Sequence, residues 1–196
     1  AYNEAQELAS AKSYDAAISK YKEAIDLADQ VGNTDIKDRS NGVIPKLYYQ
    51  KAASSFNAFR SSPSVSTLDV AIADFEVSYE KGQEYGDSEI EQRSIRIIAQ
   101  LHYQKGTMML KQENYEAADA EFDRAIEINA NYAKAFYQKG LVHKNLDEGT
   151  VEAFLQWFDR AIVLGEAQND GEVVRLSKDA AHAELLYRGA KLIQDG

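Results

Sequence analysis

The sequence predicts an all-α fold in which antiparallel helix pairs form an α-α superhelix, a right-handed solenoid, with about four repeats plus a C-terminal helix. Helix-breaking residues are scarce, with only 2 Pro and 11 Gly among 196 residues, while 44% of the chain is hydrophobic and 28% is charged. Two short strings of residues also recur at helical spacings. The length is sufficient for one domain with a substantial core.

The first string places a tyrosine three residues before a small residue, which puts both side chains on one helical face. It occurs at residues 2–5, 49–52, 103–106 and 137–140, and a weaker copy at 186–189 has Leu186 in place of the tyrosine. The alanine or glycine that ends each copy allows two helix backbones to approach closely. We therefore assign each copy to the first helix of a pair.

The second string is a small residue, an aromatic residue four positions later, and another small residue after three more. It lies at residues 17–24, 71–78, 118–125 and 154–161, and the last copy begins with Phe154 instead of a small residue. Each copy follows a copy of the first string, so we assign it to the second helix of the pair. Its ring is expected to fill the space that the small residues leave between helices.

The unit at residues 99–132 resembles the tetratricopeptide repeat (TPR), a helix–turn–helix of 34 residues with small residues at fixed positions. This unit has Gly106 in its first helix, an Asn-Tyr turn at residues 114–115, the complete second string, and Ala130 where the family often has proline. Tyr137 follows Tyr103 by 34 residues, so the next unit is in phase. The resemblance implies that the first helices line a concave groove that holds a peptide.

Other copies of the first string are further apart, and an insert of 13 residues before three of the first helices accounts for most of the difference. The inserts resemble one another at residues 32–36 and 86–90 and, more weakly, at residues 168–173. We interpret them as extra turns at the front of the following first helix, with Thr34 and Ser88 as N-caps. The remaining extra residues are assigned to loops at 61–66 and 147–150.

These patterns predict helices near residues 1–10, 13–31, 34–59, 66–84, 88–111, 114–128, 131–145, 150–166 and 172–194. Pro45 lies inside the third helix and lacks the N–H that would bond the carbonyl of Asn41. We therefore expect a kink or a short break near residues 41–45.

We expect a single TPR-like solenoid domain at residues 1–196, with repeats at about 1–31, 34–85, 88–132 and 133–168 and a terminal helix at 172–194. The first helix lacks the front turns that three later first helices have, and we expect either an excerpt of a longer chain or a processed N-terminus. The polar residues of the final helix are consistent with a cap at the solenoid end.

Composition and motifs exclude several classes of function. A net charge of −10 argues against a nucleic-acid partner, and no apolar stretch is long enough to span a membrane. Cys is absent, and the three histidines lack metal-ligand spacing. No nucleophile elbow, phosphate loop or converging catalytic set is visible. We therefore predict no enzyme activity, no catalytic residue, no metal site and no cofactor, and no location follows from the sequence.

The candidate binding residues share the face of the first helices that carries the tyrosines. Tyrosine and amide side chains both form hydrogen bonds with a peptide backbone, and tyrosine adds apolar area at low entropy cost. The alternative is that the tyrosines only pack between helices and the amides meet water. The candidate groove residues are Tyr49, Gln50, Phe56, Tyr103, Gln104, Thr107, Leu110, Tyr137, Gln138, Leu141 and Asn145.

Basic residues recur just before the small residue of the first string, at Lys51, Lys105, Lys139 and Arg188, and we expect their charges at the groove edge. His102 is predicted to be a partly buried helix residue, and Trp157 is predicted to pack against the neighbouring repeat. TPR domains that clamp a chaperone's C-terminal carboxylate have Asn directly after the small residue, and no copy here does.

The leading functional hypothesis is a non-enzymatic scaffold that binds a protein or peptide, basic in character, through the concave groove. A second hypothesis is a structural, self-assembling or spacer module of a larger protein, which leaves a homo-oligomer open. The third hypothesis, a helical enzyme or small-molecule binder, has the weakest support because no converging groups are visible.

Overall fold

A computed structural model describes residues 1–146 and 151–195, and the all-α prediction is confirmed across these residues. Every helix end lies within about two residues of its predicted position. The helices are α1 (Tyr2–Ser10), α2 (Tyr14–Val31), α3 (Thr34–Ser61), α4 (Val65–Glu84), α5 (Ser88–Lys111), α6 (Tyr115–Ile128), α7 (Ala133–Leu146), α8 (Val151–Gln168) and α9 (Gly171–Asp195).

The helices fall into two compact units, Ala1–Ile98 and Ala99–Gly196, and the boundary lies within α5. In the first unit, Ile18 and Tyr21 of α2 form a buried cluster with Ile44 and Leu47 of α3. In the second unit, one buried cluster joins α6 to α7 and another joins α7, α8 and the start of α9. Each core is therefore built from the stripe that its helices turn towards their neighbours.

The two strings meet within each helix pair, and the contact has the same form four times. The tyrosine of the first string packs against the ring of the second string, with centroids 5.6–6.0 Å apart. At Gly106, an added Cβ would lie 2.7 Å from Phe122 Cε1, so alanine would clash there. This repeated contact defines TPR-like helix pairs and confirms the fold that the resemblance implied. The ring pairs are Tyr2–Tyr21, Tyr49–Phe75, Tyr103–Phe122 and Tyr137–Phe158.

The three inserts lengthen first helices, as the sequence predicts. α3, α5 and α9 have 28, 24 and 25 residues, whereas α7, which has no insert, has 14. Each long helix carries a fully buried serine nine residues before the tyrosine position of the first string. These are Ser40, Ser94 and Ser177.

The long helices pass close to the C-terminal ends of the preceding second helices. An added Cβ at Gly82 of α4 would lie 2.7 Å from the backbone nitrogen of Glu91, and at Gly165 of α8 it would lie 2.9 Å from a methyl of Val174. Both glycines lie four residues after the last small residue of the second string, where α6 instead ends at the cap Asn129. A small residue at this position thus accompanies a lengthened helix in the next pair.

The predicted N-caps are wrong by one residue. Asn33 and Asp87, not Thr34 and Ser88, accept hydrogen bonds from the amides of Ile36 and Ile90, each at 3.1 Å. The preceding residues Gly32 and Gly86 both have φ of +69°. The left-handed glycine ends one helix, so the next residue is the first that can cap the following helix, and its short polar side chain does so.

Pro45 does not break α3, which is continuous from Thr34 to Ser61, so the short break predicted as one of two alternatives is wrong. A proline in a helix interior costs about 3 kcal/mol. Here its ring is fully buried, and its neighbours Ile44 and Leu47 are also buried. Packing of this stretch thus offsets the lost hydrogen bond.

The predicted loop at 61–66 is shorter than expected, because Ser64 forms a reciprocal capping box with Thr67. The predicted loop at 147–150 lies outside the described residues.

The buried serines generate a stability prediction. Ser94 Oγ lies 2.9 Å from Ser78 Oγ, whereas Ser177 Oγ is buried with no hydrogen-bond partner among the described residues. We expect Ser177→Ala to raise the free energy of unfolding by about 1 kcal/mol, because it removes an unsatisfied hydroxyl. Ser94→Ala is expected to lower it by a similar amount, because Ser78 loses its partner.

Urea unfolding followed by circular dichroism measures both changes. The double variant Ser78→Ala with Ser94→Ala serves as the control, since removing both hydroxyls restores a matched pair and is expected to be close to neutral. Equal effects of Ser94→Ala and Ser177→Ala would contradict this explanation of the two sites.

Candidate partner-binding surfaces

In the first unit, Tyr49 is held between two side chains. Its ring lies edge-on to Phe75, with centroids 5.6 Å apart. The guanidinium of Arg93, which is on α5, lies 4.6 Å from the centroid of the Tyr49 ring. A hydrogen bond with Tyr49 raises the pKa of the Arg93 guanidinium. The Tyr49 ring is half-buried, so packing fixes its position while part of it stays accessible.

A cavity of about 270 Å³ lies beside Tyr49. The predicted residue Gln50 lines this cavity and is exposed, so two of the three candidates in this unit share one site. The third, Phe56, stacks on Phe59 with centroids 6.2 Å apart and does not line the cavity. The cavity is therefore lined by an aromatic ring, an amide, and charged side chains of both signs. Its other lining residues are Lys46, Asp87, Glu89, Ile90 and Arg93.

In the second unit, Tyr103 of α5 is linked to the next first helix. The Nε2 atom of Gln138 on α7 donates to the Tyr103 hydroxyl at 3.4 Å. The ring packs on Phe122 at 5.9 Å and on Tyr132 at 5.1 Å between centroids. The tyrosine of one repeat and the amide of the next thus bond each other directly, an arrangement that neither sequence-based alternative contained.

The phenols of this cluster are shielded from water. Burial, with a smaller contribution from nearby Tyr103, raises the pKa of Tyr132 to about 12. Burial also raises the pKa of Tyr137, where Tyr103 adds to the shift and Arg175 of α9 opposes it. The Tyr137 ring packs on Phe158 with centroids 6.0 Å apart. The phenols of Tyr132 and Tyr137 therefore remain neutral hydrogen-bonding groups at ordinary pH.

The remaining candidates of the second unit lie on α5 and α7, the two first helices that carry Tyr103 and Tyr137. Gln104, Thr107, Leu110 and Leu141 are half-buried, and Asn145 is exposed. Thr107 donates to the Tyr103 carbonyl at 2.9 Å, and Asn145 donates to the Leu141 carbonyl at 2.7 Å. Leu110 packs against the buried cluster of Phe122 and Val142. Their accessible surface is therefore mixed, with apolar side chains beside hydroxyl and amide groups.

The recurring basic residues form ion pairs with acidic side chains, and the charge of Lys139 is buried, so the expectation of charge at a groove edge is wrong for Lys139. Lys139 has a side chain only 3% exposed, with its Nζ 2.9 Å from Asp119 and 2.7 Å from Asp123 of α6. Lys105 Nζ lies 2.6 Å from Glu121, and Lys51 Nζ lies 2.7 Å from Asp15. The sequence shows the basic residues, but the acids that pair with them lie on other helices.

Two further side chains belong to this packing. His102 is partly buried, as expected, and its Nδ1 lies 2.7 Å from Glu121 Oε2. Burial raises the pKa of Glu121, but hydrogen bonds from His102 and Lys105 outweigh that effect, so the pKa is lowered overall. Trp157 packs against the buried cluster that joins α7, α8 and the start of α9, and its ring stacks on Phe136 with centroids 6.2 Å apart.

Sequence reasoning missed Arg93, Tyr132 and Arg175 as members of these surfaces. Arg93 belongs to the insert before Tyr103, and Tyr132 ends the repeat unit. Both positions are visible in the sequence as part of the repeat. The neighbouring residues, however, do not indicate that an insert residue or a turn residue contacts a tyrosine ring on another helix. Among the described residues, no group of three His, Cys, Asp or Glu side chains is arranged to hold a metal ion, and no helix is long and apolar enough to cross a membrane.

No protein-family model matches the chain, and no curated protein matches it. Among solved structures, the chain is similar to the TPR2AB-domain:pHSP90-complex of yeast Sti1, with 13% identity, 93% of this chain and 83% of that chain covered, and a TM-score of 0.41. It is also similar to the crystal structure of MamA, with 16% identity, 86% and 96% covered, and a TM-score of 0.33. The helix pairs of this chain by themselves define a TPR-like helical-repeat protein.

The shielded phenol of Tyr132 generates a pH prediction. In the unfolded chain it ionises near pH 10, whereas in the folded chain it stays protonated until about pH 12. The folded state therefore loses stability through this group as the pH rises from 10 towards 12. We expect Tyr132→Phe to remove this part of the alkaline loss. Urea unfolding of the unmodified protein and of Tyr132→Phe at about pH 9 and pH 11 measures this loss of stability. If both proteins lose the same free energy of unfolding between the two pH values, the assignment is contradicted.

Proposed function

We propose that the protein is a non-enzymatic scaffold that binds a protein or peptide through the tyrosine-bearing face of its first helices. The observation that carries this proposal is the pair of half-buried rings Tyr103 and Tyr137 on neighbouring first helices. Each ring is fixed by a phenylalanine beneath it. A preorganised ring loses little conformational entropy when a partner packs on its exposed part.

The chemistry of this face suits a peptide segment. Gln138 donates to Tyr103, but its Oε1 is buried and has no hydrogen-bond partner among the described residues. A small rotation of this amide that brings Oε1 to a peptide N–H would recover a hydrogen bond worth about 0.5–1.5 kcal/mol. Leu141 and Leu110 add apolar area on the same first helices. An extended or helical segment with alternating polar and apolar groups fits this arrangement.

The surface around Tyr49 is proposed as a second contact for a partner. Its cavity is lined by the basic residues Lys46 and Arg93 and by the acidic residues Asp87 and Glu89. A cavity of this kind favours a polar or charged side chain over an apolar one, because the lining groups need hydrogen-bond partners when water leaves.

We propose a partner that is basic overall, because the chain has a net charge of −10. Long-range attraction then speeds association and weakens as salt screens it. A clamp for a C-terminal carboxylate is not proposed, because it would need an asparagine directly after the small residue of the first string. The residues at that position are Gln6, Ala53, Thr107, Leu141 and Ala190.

Peptides selected from a random library on the immobilised protein provide ligands for a direct test. We expect the variant with Tyr103→Phe and Tyr137→Phe to weaken their binding about 3- to 30-fold, because two hydroxyl contacts are lost while the rings stay packed. Replacing both tyrosines by alanine should abolish capture while circular dichroism still shows a helical protein. Binding is measured by fluorescence anisotropy at two salt concentrations.

The matched control is Tyr79→Phe, which removes the hydroxyl of a tyrosine on α4, a second helix that carries none of the candidate residues. This control should bind the selected peptides like the unmodified protein. Peptides that bind all the variants equally would remove the tyrosine face from the proposal, and affinity that does not change with salt would remove the basic partner.

A further inference from the structure

The acidic residues of the first unit are concentrated on its second helices. α2 and α4 together carry nine acidic and three basic residues, whereas α3, a first helix, carries two acidic and five basic residues. The chain's net charge of −10 therefore does not set the charge beside α3. A group that binds at α3 meets a helix that is locally positive.

The cavity beside Tyr49, which we call the Tyr49 cavity, lies against this helix. It is bounded by side chains of α3 and α5 and by Asp87, which directly precedes α5, and all of these belong to the first unit. Its volume is about 270 Å³, just below the roughly 300–1,000 Å³ of pockets that hold drug-sized ligands. A single side chain of a partner therefore matches its size.

The two acidic residues of the Tyr49 cavity are already engaged within the protein. Asp87 accepts a hydrogen bond from the backbone amide of Ile90 at 3.1 Å and so caps α5. Glu89 Oε1 lies 3.2 Å from Arg93 Nη1, one turn along the same helix. Because both carboxylates have a donor, a basic group of a partner gains less by approaching them.

Lys46 differs from the other charged residues of the cavity. It lines the cavity, is exposed, and forms no ion pair with any of the residues that the structure describes. Lys51, on the same helix, instead has its ammonium 2.7 Å from Asp15. The Lys46 ammonium is therefore available to an anionic group.

Two residues next to Lys46 on α3 add hydrogen-bond donors. The Tyr49 hydroxyl accepts a hydrogen bond from Arg93, and a phenol that accepts one bond still has its own O–H to donate. The exposed amide of Gln50 lines the same cavity and carries an NH₂ group. Donors from three side chains thus line one small space whose carboxylates are already engaged.

We propose that the Tyr49 cavity binds an acidic side chain, aspartate or glutamate, of the partner. Its carboxylate accepts hydrogen bonds from Lys46, Tyr49 and Gln50. This assignment rests on the proposed function, in which the same cavity is a second contact for the partner. It is compatible with a partner that is basic overall, because long-range attraction depends on the partner's net charge whereas this one acidic residue acts only at contact.

A phosphate group suits the cavity less well than a carboxylate does. It carries a charge of about −1.5 to −2 at pH 7, so its removal from water is more costly. The cavity has little net charge to offset that cost, because the basic Lys46 and Arg93 are balanced by the acidic Asp87 and Glu89. A carboxylate, with a single charge, needs only the donors that the cavity supplies.

Disulfide exchange at one introduced cysteine tests the charge preference of the cavity. The chain has no Cys, so Gln50→Cys gives the protein a single thiol, at the edge of the cavity. The variant is equilibrated with the disulfides of mercaptopropionate, of its neutral analogue mercaptopropionamide and of cysteamine, and mass spectrometry measures the adducts. We expect the acidic adduct to exceed each of the others about 3- to 10-fold, because its carboxylate reaches Lys46 and Tyr49. The same variant unfolded in urea gives the reference ratios.

Further variants separate the cavity from the general charge of the surface. Adding Lys46→Gln to Gln50→Cys should remove the preference for the acidic adduct. Adding Tyr49→Phe should lower it about 3-fold, because the ring stays packed and only the hydroxyl donor is lost. The matched control is Asn3→Cys on α1, since Asn3 has the same place after the tyrosine of the first string and is also exposed. This control should show no excess of the acidic adduct.

Three results would overturn the inference. They are an acidic adduct that does not exceed the others or that is equally favoured at Asn3→Cys, a preference that survives both Lys46→Gln and Tyr49→Phe, and a larger yield with mercaptoethylphosphonate than with mercaptopropionate. The last result would assign the cavity to a phosphate group. The adduct ratios do not depend on Tyr103 and Tyr137, so failure of the tyrosine face in its own peptide test is distinguishable from failure of the cavity.

Discussion

Close approach of two helices at a residue with little or no side chain is the constraint on which the rest of the structure depends. Glycine in a helix interior costs about 1 kcal/mol relative to alanine, yet Gly106 and Gly140 lie in the middle of first helices. The rings of Phe122 and Phe158 fill the space that a Cβ would need. The same rings support Tyr103 and Tyr137. The candidate binding face is thus a consequence of the packing, since the residues that join the helices also fix the tyrosines.

The same constraint explains how a short repeat accommodates long helices. Gly82 and Gly165 let the extended fronts of α5 and α9 cross the preceding second helices closely, and the serines at the crossings are fully buried. Where no small residue follows the second string, at Asn129, the next helix begins only at Ala133 and stays short. At the end of α9 the constraint is unmet, because Gly189 faces open space. That difference separates Gly189 from Gly106 and Gly140, which hold the same position in their copies of the first string.

The fold was predictable because its determinants are local and periodic. The strings, the inserts and the left-handed glycines lie within single helices or turns, so a linear sequence displays them. The wrong prediction of a break at Pro45 could not be avoided by local reasoning. The low helix propensity of proline is real, but tertiary packing overrides it here. The site was predictable only in part. The tyrosines repeat in phase, but the pairing of Lys139 with Asp119 and the return of Tyr132 to Tyr103 depend on which helices lie side by side.

A double-mutant cycle between Gly106 and Phe122 tests the central constraint most directly. Gly106→Ala and Phe122→Leu should each lower the free energy of unfolding, and the double variant should be less destabilised than their sum by about 1 kcal/mol, because the smaller side chain makes room for the new Cβ. Gly42→Ala, at an open position in α3, is the control and should stabilise the protein by about 0.5–1 kcal/mol. Additive effects of the two substitutions at the crossing, or a stabilising Gly106→Ala, would contradict this account.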